Sequence, residues 1–239
     1  MLNQSQVDAW LEALLVKLMA AFGERLKFIG HIGSWARGEP HRKSDIDCLV
    51  MLDVCADNDI RTLRDIFSEL SSDEFKPGGI LVSVKELKQT PPFHMAQLFF
   101  NGCKPVYGSV EGLIPAPSAE DLVIDIKMKA CDNLHIARHL LMFGESLSSI
   151  VSGLRSNFYS CFFALQNWIL VVRGRYFERK NDILDYLDDL IDKQVVSVAR
   201  DWYDIQDDLQ TRPSYYIGLL ERWARGMIAK LEVYSAKKE

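Results

Sequence analysis

The sequence predicts an α+β protein whose strands are confined to the N-terminal half and whose C-terminal half is an all-α helical bundle. Three observations lead there. Short apolar runs bounded by turn residues recur three times before residue 85, the segment Ile114-Pro115-Ala116-Pro117-Ser118 reads as a linker, and beyond it the apolar residues recur at helical spacing. The length of 239 residues and a hydrophobic content of 48% suit two modest domains, placed at 1–114 and 118–239.

Taken in order, Val7, Leu11, Leu14, Leu15 and Leu18 recur three and four apart and predict an amphipathic helix over 4–21, with Ser5 as N-cap and Gly23 as stop. A strand follows at 26–32. Residues 46–52 predict a second strand, nearly continuous in apolar side chains, as a strand covered on both faces is. A helix is expected at about 60–70. Gly78-Gly79 punctuates the chain before a third strand at 80–84, Pro91-Pro92 breaks it before a short helix at 93–100, and 104–107 adds a small edge strand. In the second half, helices are expected over 119–143, 147–172, 182–192, 195–209 and 214–234. Ser118 with Asp121 forms a capping box, Gly144 and Gly174 fit helix C-termini, and Pro213 fits the first turn of the last helix.

Lys and Arg number 28 against 33 Asp and Glu, a formal charge of -5 with a pI near 5.6. That balance argues against a protein whose task is to coat nucleic acid, because such binding rests on neutralising phosphates. Neither a secretory nor a transit signal is visible near Met1. The longest apolar run, 158–172, is interrupted by Ser160, Gln166 and Asn167 and falls short of the ~20 apolar residues a membrane helix needs. Cys48, Cys55, Cys103, Cys131 and Cys161 are odd in number, widely spaced and free of any Cys-x-x-Cys pair, as expected of reduced packing residues in a cytoplasmic protein.

One stretch carries chemistry: Gly33-Ser34-Trp35-Ala36-Arg37-Gly38, then 39–43, then Ser44-Asp45-Ile46-Asp47-Cys48-Leu49-Val50. It reads as a strand ending in a Gly-Ser turn, a loop, and a second strand that opens with two carboxylates. Gly33 lets the backbone approach a ligand closely, and the amides after it can donate to phosphate oxygens together with the Ser34 hydroxyl. Asp45 and Asp47, two apart, point to one face of a strand about 6.6 Å from each other along the chain, while Ile46 between them points into the core. Such a pair can hold divalent metal in a phosphoryl transfer, and oxygen-only ligation favours Mg²⁺ or Mn²⁺ over zinc. Arg37, Arg42 and Lys43 add positive charge suited to a triphosphate.

The Gly-Ser, ten residues, Asp-x-Asp pattern resembles the signature of the DNA polymerase β nucleotidyltransferase superfamily. Ala36-Arg37-Gly38 and Ser44-Asp45-Ile46-Asp47 make it similar to the minimal or antibiotic-type branch. The resemblance implies a mixed sheet flanked by helices, with a nucleoside triphosphate, ATP above all, at the Gly-Ser turn. It assigns Gly33 and Ser34 to the phosphates and Asp45 and Asp47 to metal and catalysis, with Arg37, Lys43 and Ser44 grouped at the nucleotide. Relatives commonly carry a third carboxylate on the next central strand. In Ile80-Leu81-Val82-Ser83-Val84 the one polar residue is Ser83, and Glu86 just beyond has the opposite parity. A base then comes from the helical half, with Glu145 and Asp132 as candidates, or the acceptor needs none, or turnover is lost.

The helical half is the expected reader of the second substrate. Residues 155–165 resemble the core helix of HEPN domains and equally the helical domain of antibiotic nucleotidyltransferases, and the absence of an Arg suitably ahead of His135 or His139 disfavours a HEPN-type ribonuclease. Those two histidines, four apart, form a candidate metal face without a third ligand. Most of Trp168, Tyr176, Trp202, Tyr203, Tyr215, Tyr216 and Trp223 are read as core packing before base stacking, and the acidic run Asp185, Asp188, Asp189 and Asp192 as a solvated helix face before a lure for a cationic acceptor. The expected activity is transfer of a nucleoside monophosphate to an acceptor hydroxyl on a small molecule, protein or RNA, with release of pyrophosphate. The alternative is an antitoxin-like regulatory module on the same fold without turnover. Analogy with both kinds of relative allows a homodimer, which no residue pattern specifies.

Overall fold

Asn3 opens the first helix: its side chain accepts from the Gln6 amide at 3.0 Å, and the Gln6 side chain accepts from the Asn3 amide at 3.0 Å. The cap therefore lies two residues ahead of Ser5, whose own candidate partner three residues on, Asp8, accepts instead from Gln4 Nε2 at 2.8 Å. The computed structural model describes residues 2–42, 44–100, 102–144 and 147–237, and the chain divides into two compact units, Met1–Pro117 and Ser118–Glu239.

The first unit runs α1 (Gln4–Phe22), β1 (Leu26–Ile32), α2 (Gly33–Ala36), β2 (Ile46–Leu52), α3 (Asp57–Leu70), β3 (Pro77–Ser83), α4 (Val84–Leu87), α5 (Ala96–Phe99) and β4 (Lys104–Gly108). The strands form one mixed sheet in the order β3-β2-β1-β4, with β2 and β3 parallel and the other two pairings antiparallel. Alternation along β2 sorts its side chains between two cores. Ile46, Cys48, Val50 and Leu52 join Leu14 and Leu18 of α1 and Leu63 and Ile66 of α3. Leu49 and Met51 join Phe28, Leu87, Met95, Leu98 and Ile114.

The third strand begins at Pro77 rather than at 80, so Gly78 and Gly79 lie inside it and are not punctuation. They serve packing. A Cβ on Gly79 would stand 2.8 Å from both the Cys48 carbonyl oxygen and the Phe67 ring, so the neighbouring strand and helix require the bare backbone.

The second unit runs α6 (Ala119–Phe143), α7 (Leu147–Arg173), α8 (Lys180–Leu184), α9 (Leu190–Arg200), α10 (Gln206–Thr211) and α11 (Pro213–Ala236). Ser118 and Asp121 close the expected box, with Ser118 Oγ accepting from the Asp121 amide at 3.1 Å and Asp121 Oδ2 accepting from the Ser118 amide at 2.8 Å. The helix expected over 182–192 is two, because Asp189 turns its side chain onto the amides of Ile191 and Asp192 and starts α9. The helix expected over 195–209 breaks likewise, at Asp201. Phe158, Phe162, Leu165, Leu220, Trp223 and Met227 fill the bundle's core. No described helix is long and apolar enough to cross a membrane. The five cysteines are free thiols, and burial pushes Cys48 up to about 12 and Cys103 up to about 11, which keeps both protonated.

Candidate active site

β1 delivers the chain to Gly33, whose φ of 81° is a left-handed value that glycine adopts without a Cβ penalty. The turn is held from below by Trp35 and Ala36, both buried, and from within by the amide of Glu39 donating to the Ser34 carbonyl at 2.9 Å. The chain returns through Ser44, and the ten-residue interval of the motif closes on itself. Ser34 Oγ donates to Ser44 Oγ at 2.8 Å, and Ser44 Oγ also accepts from the His41 amide at 2.9 Å. The antiparallel register then sets Ile32 opposite Asp47.

The parallel register sets Asp47 opposite Gly78 of β3. This pairing brings the two aspartates together. A Cβ on Gly78 would lie 2.4 Å from Asp47 Oδ1 and 3.3 Å from Asp45 Oδ2, so both carboxylates reach into the space that this residue leaves empty. On the other side, a Cβ on Gly33 would lie 2.2 Å from Asp47 Oδ2. Asp45 is exposed, Asp47 is half-buried, and Ile46 between them is fully buried in the core. The glycine at the turn is thus required by a carboxylate of the chain itself, a role that the motif alone does not reveal.

Arg37 is buried at 4% exposure, its methylenes packed over Gly102, where a Cβ would meet its Cγ at 2.7 Å. Arg42 is exposed and, with Trp35, His41, Ser44, Asp73 and Glu74, lines a cavity of about 330 Å³. Lys43 lies outside the described residues, as does Glu145. Asp132, His135 and His139 are exposed on α6, and among the described residues no three His, Cys, Asp or Glu side chains form a metal-binding group. Ser83 pairs in register with Leu52, at the far end of β2 from Asp47, and is consumed as the cap of α4: its hydroxyl donates to Glu86 Oε2 at 2.6 Å. Neither Ser83 nor Glu86 therefore stands where a third carboxylate would act. The β3 residue set opposite Asp47 is Gly78, which sequence parity misses because it depends on the register between strands.

In the bundle, Trp202, Tyr216 and Trp223 are buried, as core packing requires. Three members of the acidic run enter ion pairs, while Asp185 is exposed. Asp188 pairs with Arg173 at 2.6 Å, and Lys230 meets Asp192 at 2.5 Å and Asp189 at 3.2 Å.

No protein-family profile matches the sequence, and no curated protein matches it. Among solved structures, spectinomycin adenyltransferase AAD(9) from Enterococcus faecialis, solved with ATP and spectinomycin, superposes with a TM-score of 0.58 at 12% identity, over 91% of this chain and 98% of that one. The chain has a nucleotidyltransferase fold. A toxin-antitoxin structure with AMP-PNP covers 60% of this chain and 98% of its own at 20% identity, with a TM-score of 0.30 too low to bear on the fold. On this nucleotidyltransferase fold, the two converging carboxylates form a hard oxygen donor set that fits Mg²⁺ or Mn²⁺, and the space left by Gly78 and Gly33 is the cradle that lets them converge.

Proposed function

We propose that the chain is a metal-dependent nucleotidyltransferase that moves a nucleoside monophosphate, AMP in the first instance, from a nucleoside triphosphate to an acceptor hydroxyl. The observation that carries this reading is the convergence of Asp45 and Asp47 at Gly78, beside the Gly33–Ser34 turn, on a nucleotidyltransferase fold. Asp45 and Asp47 would hold the divalent cation, which when bound offsets negative charge on the reacting phosphate. The Gly33 turn holds the triphosphate, and the Ser34 hydroxyl joins it by turning its one proton from Ser44 Oγ to a phosphate oxygen. Arg37 and Lys43 add positive charge beside it. The acceptor oxygen bonds to the α-phosphorus, the bond to the β-phosphate oxygen breaks, and pyrophosphate leaves. The acceptor's proton goes to water or to a carboxylate outside β3, since Gly78 offers none.

That the adenyltransferase of similar fold was solved with ATP and spectinomycin supports ATP as donor and a small molecule as acceptor. A protein or RNA acceptor is the other class. We assign acceptor recognition to the helical unit and a cytoplasmic location to the protein. A second reading, a nucleotide-binding regulatory module without turnover, is favoured by one observation, the glycine at the strand position facing the pair.

Calorimetric titration of the four ribonucleoside triphosphates, with and without Mg²⁺, into wild type and the Asp45→Asn/Asp47→Asn double variant tests the proposal. Magnesium-dependent binding to wild type, lost in the double variant, is expected. Absence of binding to wild type sinks it. Binding without product over a broad acceptor panel would select the regulatory reading.

A further inference from the structure

Gly78 and Gly79 are neighbours in β3, yet the atoms around them differ in kind. A Cβ on Gly79 would strike the backbone of Cys48 and the ring of Phe67, which belong to the sheet and its covering helix. The three atoms nearest to a Cβ on Gly78 all belong to carboxylates: Asp47 Oδ1 at 2.4 Å, Asp45 Oδ2 at 3.3 Å and Asp47 Cγ at 3.5 Å. Gly78 is not among the glycines with positive φ, so its backbone would accept alanine without strain. The fold therefore has no need of glycine at 78, whereas the aspartate pair does.

We propose that Gly78 is a positioning residue of the cation site, its missing side chain being the space in which the Asp45 and Asp47 carboxylates meet. The inference rests on the assignment of those two aspartates as cation ligands. Each oxygen of Asp47 is backed by a glycine, Oδ1 by Gly78 and Oδ2 by Gly33, so the carboxylate is held in a slot between two bare backbones. Adding a methyl group at 78 displaces the far ends of both aspartates and splays them. A cation bound through oxygens at a little over 2 Å, as Mg²⁺ demands, loses one of its two protein ligands when they part. The same geometry closes this strand position to a third carboxylate, because any side chain here must first push the pair aside. The remaining ligands of a bound cation must then come from elsewhere than this strand position, water and phosphate oxygens first among them.

The test compares wild type, Gly78→Ala, Gly79→Ala and the Asp45→Asn/Asp47→Asn double variant. Mn²⁺ alone is the probe, read as the loss of the free-ion paramagnetic resonance signal, with the thermal unfolding midpoint measured on each protein. Wild type is expected to bind Mn²⁺ and the double variant to lose it. Gly78→Ala should weaken Mn²⁺ by about ten-fold or more, the scale of losses when a group that orients metal ligands is disturbed, while its midpoint stays near wild type. Gly79→Ala should do the reverse, lowering the midpoint and leaving Mn²⁺ affinity in place. Wild-type Mn²⁺ affinity in Gly78→Ala overturns the proposal, as does a loss that tracks unfolding in both alanine variants, or a wild type that binds no Mn²⁺. A separate titration with Mg²⁺ and ATP keeps the two readings apart: Mn²⁺ binding that depends on Gly78 without nucleotide binding removes the transferase and leaves the role of Gly78 standing.

Discussion

His31, 4% exposed on β1, has no hydrogen-bond partner for Nε2 among the described residues, and burial, aided by the charge of Lys104 and opposed by Asp8, lowers its pKa to about 4. Its unfolded value is near 6.5. The unfolded chain therefore binds this proton first as pH falls, and stability is lost between about 6.5 and 4 and flat below, by on the order of 3 kcal/mol in all. Urea unfolding between pH 7.5 and 4 should show that slope in wild type and lose it in His31→Leu. Gly33 is a second residue-scale case. Alanine there meets both an unfavourable φ and Asp47 Oδ2, so Gly33→Ala should cost at least about 1 kcal/mol in unfolding free energy and weaken Mg²⁺-dependent nucleotide binding as well. A variant with full binding would contradict the slot around Asp47. Asp45 and Asp47 were legible as a pair from their spacing of two, although β2 begins at Ile46 and Asp45 lies just ahead of it. Gly78 was not, because a glycine's neighbours come from other parts of the chain. Arg37 read as a basic residue beside the site, and its burial over Gly102 is set by a loop more than sixty residues away.

Among the elements, β1, β2 and α6 run over the residues that apolar pattern and caps predict, while β3 starts earlier and the acidic segment divides into α8 and α9. The reason is the same in each failure: glycine and aspartate carry local turn signals that packing can override or redirect. Asp189 became a cap, and Asp192 became the buried partner of Lys230 across α9 and α11. Burial raises the Asp192 pKa against the pull of Lys230. Lys230→Ala leaves that carboxylate uncompensated and should cost about 3 kcal/mol at neutral pH, with the deficit shrinking as the pH falls towards the raised value and Asp192 takes up a proton. Denaturant midpoints of the two proteins at pH 7 and pH 5 check this, and an equal deficit at both would mean that the lost contact was not ionic. At the start of α6, Ser118→Ala removes one side of the capping box and should cost about 1 kcal/mol in the same assay.

Across the whole molecule, each unit encloses its own core: the sheet unit packs two clusters on opposite faces of four strands, and the bundle packs one around Phe158, Phe162 and Trp223. Phe158 is fully buried against Trp202 and Tyr216, so Phe158→Ala should destabilise the helical unit by about 3–5 kcal/mol, seen as a lower denaturant midpoint of its helical signal. The sequence alone determined the α+β class and the strand-turn-strand segment with its two aspartates. Both are written in contiguous residues, where strand alternation, helical periodicity and capping act over a few positions. The tertiary structure alone decided which residue of β3 faces the pair, that Ser83 and Glu86 cap a helix at the other end of the sheet, and that Asp188, Asp189 and Asp192 enter ion pairs. Those outcomes depend on strand register and helix packing, which are settled by contacts between residues far apart in the chain.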